Sequence, residues 1–273
     1  LLTAYLTDPG FRPEAYRQYQ TNLPSYYSQL AHTEQGALAQ MRGWYAGHDG
    51  RFTLPTLEQA QALTIEDVKA WLSPQFADHA LELSIVGDVK LEDLKAAVTS
   101  TLGTLPERNV SQTIEIADRT LTPPARPAEQ SFTYDSKIQK AIAIVLWQFD
   151  DVTDRDIKKM RRAGILADIL DDRLRIELRE KRGIAYSPYV GASLSDTFRN
   201  GAKLMAYSPG KPQDTEKVAK IIVELADTLA KEGATADELE RVLKPKMGML
   251  AKSSRQNGYW LGTVMDRSTT FPA

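Results

Sequence analysis

The sequence predicts an α+β fold divided between two domains. At roughly 100–200 residues per domain, 273 residues fit two. Apolar residues recur with two periods, every second residue in short runs and every third or fourth in longer ones. A stretch containing Pro106, Pro123, Pro124 and Pro127 among polar spacers interrupts both patterns and reads as a linker. The expected domains are therefore 1–108 and 131–273, joined by a linker over 109–130.

The first domain opens with helices. Pro13 and Glu14 suit a first helical turn, and Tyr16, Tyr19, Leu23, Tyr26, Tyr27 and Leu30 follow at near-helical spacing. Pro24 is expected to break or kink that run. Leu38, Met41, Trp44 and Tyr45 form another apolar face, and Gly47-His48-Asp49-Gly50 a turn. Thr64 and Asp67 have capping-box spacing, opening a helix expected to stop before Pro74. Leu81, Leu83 and Ile85 alternate as in a half-buried strand. Gly87-Asp88 then turns the chain into a helix from about 91 to 102, with Leu94, Ala97, Val98 and Leu102 inward.

The second domain opens with a β-rich run, Ala141 to Phe149. A helix is expected from Asp154 to about Leu170 and a separate short one from Arg173 to Lys181. Strands are expected over 184–192 and 203–208, with a Ser208-Pro209-Gly210-Lys211-Pro212 turn. A long amphipathic helix follows from about 215 to 231. Thr235 and Glu238 have capping-box spacing for a last helix. Both domains thus contain a strand, a glycine turn and an amphipathic helix (81–102 and 203–229). Any α+β fold can show this, and so can a duplicated architecture.

Composition excludes more than it identifies. Hydrophobic content is 42%, charged content 26% and formal net charge −2, so no global field draws the chain toward nucleic acid or anionic membrane. The segment from Asp154 to Arg182 holds ten Lys/Arg against seven Asp/Glu, a surplus that reads as a solvated helix with internal ion pairs. The absence of cysteine rules out disulfides, thiolate zinc sites and cysteine nucleophiles, and is compatible with cytoplasm or periplasm. No apolar run reaches the ~18–20 residues of a membrane span. The three histidines, His32, His48 and His79, are too far apart for a two-histidine helix grip on a metal. No nucleotide-binding glycine motif and no nucleophile elbow is present.

The one constellation with chemical promise is Leu178-Arg179-Glu180-Lys181-Arg182-Gly183-Ile184-Ala185-Tyr186-Ser187. It reads as a helix end, a glycine stop and a strand start. Arg179 and Tyr186, seven residues apart, could bring a guanidinium and a phenol to one carbonyl oxygen. On periodicity alone, the favoured readings are Arg179 as a cation complementing the helix dipole and Tyr186 as an edge-strand aromatic packed on the helix. Glu180, Lys181 and Arg182 read as surface support.

This run, preceded by Ile165-Leu166-Ala167-Asp168-Ile169-Leu170 and Arg173-Leu174, resembles the C-terminal signature of the pitrilysin/insulinase family of zinc peptidases. Leu63 to Val68, Leu83 to Val89 and Leu105-Pro106-Glu107-Arg108 resemble the segment that joins two successive domains there. The order matches from about Phe11 to Leu250. The resemblance implies two related α/β sandwich domains of the LuxS/mitochondrial-processing-peptidase type, each an antiparallel-rich sheet with helices on one face. It implies zinc on an inverted H-x-x-E-H helix of a separate N-terminal half, and none in this chain. It places Arg179 and Tyr186 in a supporting catalytic role, donating hydrogen bonds to the substrate backbone near the scissile bond.

The inverted motif is absent, and the segment from Tyr16 to Leu30 has no glutamate for a distant metal ligand. The resemblance therefore points to the metal-free half of a zinc endopeptidase, inactive alone, forming the wall of a substrate chamber. Its expected partners are a catalytic N-terminal half or partner subunit and a peptide substrate. The first domain is expected to be incomplete at its N-terminus, because the opening strands and first helix of a domain of that family are missing from it. Apolar faces left uncovered in this way would pair with a partner or, as a homodimer, with a second copy. The alternative reading is a non-enzymatic subunit that binds extended peptide.

Overall fold

A computed structural model describes residues 1–108, 119–149, 156–185, 187–195 and 197–265. In chain order the main helices are α1 (Leu2–Thr7), α2 (Pro13–Ala31), α3 (Glu34–Tyr45), α4 (Leu57–Ala62), α5 (Ile65–Asp78), α6 (Leu91–Thr99), α7 (Ile157–Leu174), α8 (Thr215–Glu232) and α9 (Ala236–Ser253). The strands are β1 (Ala141–Gln148), β2 (Tyr189–Ser193) and β3 (Lys203–Gly210). Contacts group the chain into two compact units that interleave in sequence. One comprises Leu1–Ala31, Leu54–Glu115 and Gln256–Ala273; the other comprises His32–Thr53 and Ile116–Arg255.

The second unit is α+β, with an antiparallel sheet in the order β1-β3-β2. Strand alternation sets its faces. Leu204, Ala206 and Ser208 of β3 are buried, whereas Lys203, Met205 and Tyr207 are half-buried. Register aligns Ala143 of β1 with Ser208 and Val190 of β2 with Ala206, so the buried positions form one face. Helix α7 packs on β2 and α8 on β1. Helix α8 offers Val218, Ile221, Ile222 and Leu229, and α7 offers Ala167, Leu170 and Leu174, all at helical spacing.

Helix α3 belongs to this unit. Glu34 at its start pairs with Lys140 at 2.5 Å, and the Lys203 ammonium lies 5.0 Å from the Tyr45 ring centre. Burial pushes the Lys203 pKa down. After α3, Gly47 takes a left-handed conformation (φ 69°) and passes so close to the Thr122 carbonyl that any Cβ would collide with it.

The first unit is helical among the described residues, and its buried apolar side chains there are Leu23 and Ala60. Polar ties supplement this small core. The Tyr16 hydroxyl and the Gln20 amide donate to the Leu63 carbonyl, and the Tyr27 hydroxyl donates to the Pro55 carbonyl at 2.7 Å. Capping boxes open α4 (Thr56 with Gln59) and, as expected, α5 (Thr64 with Asp67).

Five expectations about elements need correction. The alternating run at Leu81, Leu83 and Ile85 forms no strand. Alternation marks faces, but a strand also needs a pairing partner, and no described residue supplies one. Helices α2 and α5 run through Pro24 and Pro74. Each proline removes one donor, and in α2 the tyrosine and glutamine ties hold the helix on both sides of it. The break expected between 170 and 173 is absent, because no glycine or proline lies between Ile165 and Arg182. The helix instead changes hydrogen-bonding pattern, continuing as a π-helical segment, Arg175–Lys181. Strand β2 begins at Tyr189 rather than at Ile184.

The start of α9 is clamped to α7 by one carboxylate. Glu238 accepts from Arg173 Nε at 2.6 Å and Nη2 at 3.0 Å, and from the Thr235 backbone N–H at 2.8 Å. The Arg173 and Glu238 side chains are only 15% and 13% exposed. Hydrogen bonding from Arg173 chiefly holds the Glu238 pKa down at about 2, against an ordinary 4.5. A depressed carboxylate stabilises the fold fully above its unfolded pKa and loses that contribution as pH falls through its folded pKa. Glu238→Gln should therefore remove on the order of 2–4 kcal/mol at neutral pH. It should also flatten the decline in stability from pH 4.5 to about 2 that the parent chain shows in urea titrations.

Candidate functional site

The site is built on the end of the α7 helix. Leu170, Leu174 and Leu178 are at most 1% exposed, so one apolar stripe keeps facing the sheet through the change to π-helical bonding. Gly183 then adopts a left-handed conformation (φ 62°) and reverses the chain. The Leu178 carbonyl accepts from the backbone N–H groups of Ile184 at 2.9 Å and Ala185 at 3.3 Å. The returning loop is thereby tied to the deeply buried Leu178.

Charged neighbours in this segment engage one another. Arg175 pairs with Asp172 at 2.5 Å and with Glu180. Glu177 pairs with Lys181 at 3.0 Å and with Arg182 at 2.6 Å, and these two cations hold its pKa down. Glu180, Lys181 and Arg182 thus form the support network read from the sequence. Arg179 is exposed and lines an open cleft of about 590 Å³.

The cleft lies between the helix end and the end of the sheet. Gly183, Ile184, Ala185 and Ser187 contribute from the return loop. Lys140, just before β1, Tyr207 on β3, and Lys211, just after β3, contribute from the sheet. Strand β3 approaches the loop closely, since a Cβ on Gly210 would stand 3.5 Å from the Ile184 carbonyl oxygen. Lys140 is held by Glu34, which raises its pKa, while burial raises that of the Tyr207 phenol. The Tyr134 hydroxyl donates to the Lys140 carbonyl at 3.1 Å.

Of the two site residues read from the sequence, the structure places Arg179 in the cleft; Tyr186 lies outside the described residues. Its neighbours Ala185 and Ser187 both line the cleft. Lys140, Tyr207 and Lys211 are not legible as site residues in the sequence. The available signal was the Pro209-Gly210-Lys211-Pro212 turn, a lysine at the same sheet end that the return loop reaches.

Among the described residues no group of three or more His, Cys, Asp or Glu is placed to hold a metal ion. His32 Nδ1 lies 3.0 Å from the Asp135 carbonyl oxygen, and His79 Nδ1 lies 3.4 Å from that of Pro74. Among the described residues no helix is long and apolar enough to cross a membrane.

Residues 62–245 match the family described as peptidase M16 inactive domain. The chain is 24% identical over 260 residues to the chloroplastic stromal processing peptidase of Pisum sativum, covering 79% of this chain and 20% of that protein. It therefore spans about one fifth of that relative's length. Its fold superposes on the periplasmic protease PqqL from Escherichia coli with a TM-score of 0.73 and 18% identity, covering 94% of this chain and 28% of that one. The peptidase M16 inactive domain from Pseudomonas fluorescens gives 0.69 and 18%, covering 90% of this chain and 58% of that one.

Two glycines of the site helix should respond oppositely to alanine. Neither Cβ would meet an atom within 4 Å, so only backbone conformation decides. Gly183→Ala should cost about 1–2 kcal/mol, because a left-handed L-residue is strained. Gly164→Ala, inside α7, should add about 0.5–1 kcal/mol by the helix preference for alanine. Urea unfolding of both variants checks the pair.

Proposed function

The chain belongs to the peptidase M16 inactive-domain family, and on that premise we propose that it is the C-terminal, metal-free half of a zinc-dependent endopeptidase. In this reading it forms a wall of the substrate chamber and positions peptide backbone near the scissile bond. The observation that carries the proposal is the placement of Arg179 in a cleft shared with the loop that flanks position 186. Relatives named as a processing peptidase and a protease support a peptide as the ligand.

Arg179 and Tyr186 act as hydrogen-bond donors to the substrate. A peptide carbonyl under attack develops negative charge on its oxygen, and fixed donors aimed at that oxygen stabilise the charge without reorganising. Arginine offers a permanent charge in a planar fork, and tyrosine a rigid neutral O–H. Gly183 and the Leu178 carbonyl fix the reversal of the chain that follows Arg179. Zinc chemistry comes from the catalytic N-terminal half, in the same chain or a partner subunit. The proposed domains are of the LuxS/mitochondrial-processing-peptidase type, with 1–108 and 131–273 joined through 109–130. A homodimer is the proposed arrangement where no catalytic half covers the exposed apolar faces.

The chain alone should not hydrolyse peptides. Reassembled with a catalytic half, it should support cleavage that Arg179→Ala and Tyr186→Phe each reduce by about 10²–10³-fold in kcat, the usual loss for one oxyanion donor. Initial rates on an internally quenched peptide provide the measurement. Full activity in both variants would remove the proposed roles.

A further inference from the structure

We infer that two ion pairs, Glu177–Arg182 and Arg175–Glu180, lock the π-helical form of the Arg175–Lys181 segment and thereby aim Arg179 into the cleft. The four side chains are positioning residues for Arg179. This rests on the reading of Arg179 as a donor to the bound peptide and adds the device that sets the donor's direction.

The spacing of the pairs carries the inference. Arg182 Nη2 lies 2.6 Å from Glu177 Oε1, and Arg175 Nη1 pairs with Glu180 Oε1. In both pairs the partners are five residues apart. Residues five apart in an α-helix point about 140° away from each other round the axis. A π turn, bonded i→i+5, takes in one residue more and returns such residues toward the same side. Elsewhere, helical ion pairs keep to α-helical spacing. Arg17–Glu14 and Lys69–Glu66 are three apart, and Lys220–Glu216, Arg241–Asp237 and Lys244–Glu240 are four apart.

Both five-apart pairs straddle Arg179, so a return to α-helical bonding would separate them as it turned that residue. Glu177 is the least exposed of the four side chains, at 17%, so its pair is the less screened one. Core packing asks for the same turn. Steps of four residues advance about 40° round an α-helix, so an unbroken one would carry Leu178 about 80° away from Leu170. Leu170, Leu174 and Leu178 are nonetheless all buried, because the widened turn takes up the drift after Leu174. Arg179, next to Leu178, would swing with it if the extra residue of the turn were given up.

The test uses the chain reassembled with a catalytic half and initial rates on an internally quenched peptide. The double variant Glu180→Gln/Arg182→Gln removes both five-apart pairs. It leaves Lys181–Glu177 and Arg175–Asp172, four and three apart, which suit ordinary helical spacing. It should lower kcat about three- to ten-fold with little change in KM, the scale of two largely exposed pairs. Arg182→Lys, which keeps the charge, should retain most of the parent rate. In an Arg179→Ala background the double substitution should change kcat by less than about two-fold, because the residue it positions is gone. In the intact chain alone, the double variant should speed amide hydrogen exchange over 178–184 and leave β1 and β3 unchanged. Circular dichroism checks that each variant folds.

A loss of kcat confined to chains that keep Arg179, with faster exchange over 178–184, supports the inference. An equal loss with and without Arg179 assigns the pairs to general stability and overturns it. An unchanged kcat in the double variant, with Arg179→Ala slow, overturns it and leaves the reading of Arg179 standing. Full activity in Arg179→Ala itself removes that reading and the inference together.

Discussion

The burial of Leu170, Leu174 and Leu178 as one stripe is the constraint on which the rest of the second unit depends. Each is at most 1% exposed, and burying each contributes about 1.5–3 kcal/mol. That gain keeps the helix docked on the sheet while its hydrogen bonding changes at Arg175. Because Leu178 is fixed, its carbonyl can receive both N–H groups of the returning chain, and Gly183 supplies the conformation that the return requires. Arg179 is the residue directly after the last buried leucine, and it is exposed at the cleft. The position of the guanidinium is therefore a consequence of core packing one residue away.

The two units are stabilised by different means. The sheet-bearing unit has a continuous core in which α8, α7 and three strands share buried side chains. The helical unit relies more on capping boxes and on hydroxyl-to-carbonyl bonds. It also carries exposed apolar side chains, Trp71 at 71% and Leu81 at 47% among them. Single exposed apolar residues are ordinary, but an alternating row such as Leu81, Leu83 and Ile85 is the pattern of a surface built to be covered.

Local patterns in the sequence were legible wherever local physics decides. The capping boxes at Thr64 and Thr235, the amphipathic helix α8, strand β1 and the glycine reversal at Gly183 depend on neighbours a few residues away. The run at 81–85 was misread because a strand is completed by a distant partner, which alternation cannot report. The helix through Arg175 was misread because a change of hydrogen-bond pattern leaves no punctuation in the residues. At the site, Arg179 could be found from a motif. Lys140, Tyr207 and Lys211 could not, since their convergence depends on sheet register and on where β1 begins and β3 ends. The resemblance to the peptidase family drew on the order of several motifs, and so survived errors in individual elements.

The two kinds of cation at the cleft suit two different tasks. A guanidinium is planar, and its hydrogen bonds are directional, so its value depends on being held in one orientation. Arg179 stands on a helix end fixed by buried leucines, which is the kind of base a directional donor needs. A lysine ammonium is a compact charge on a flexible stem, tolerant of where its partner sits. Lys211 stands in a turn with its side chain exposed, a base suited to tolerance rather than direction. The cleft thus combines one cation on a rigid base with one on a tolerant base.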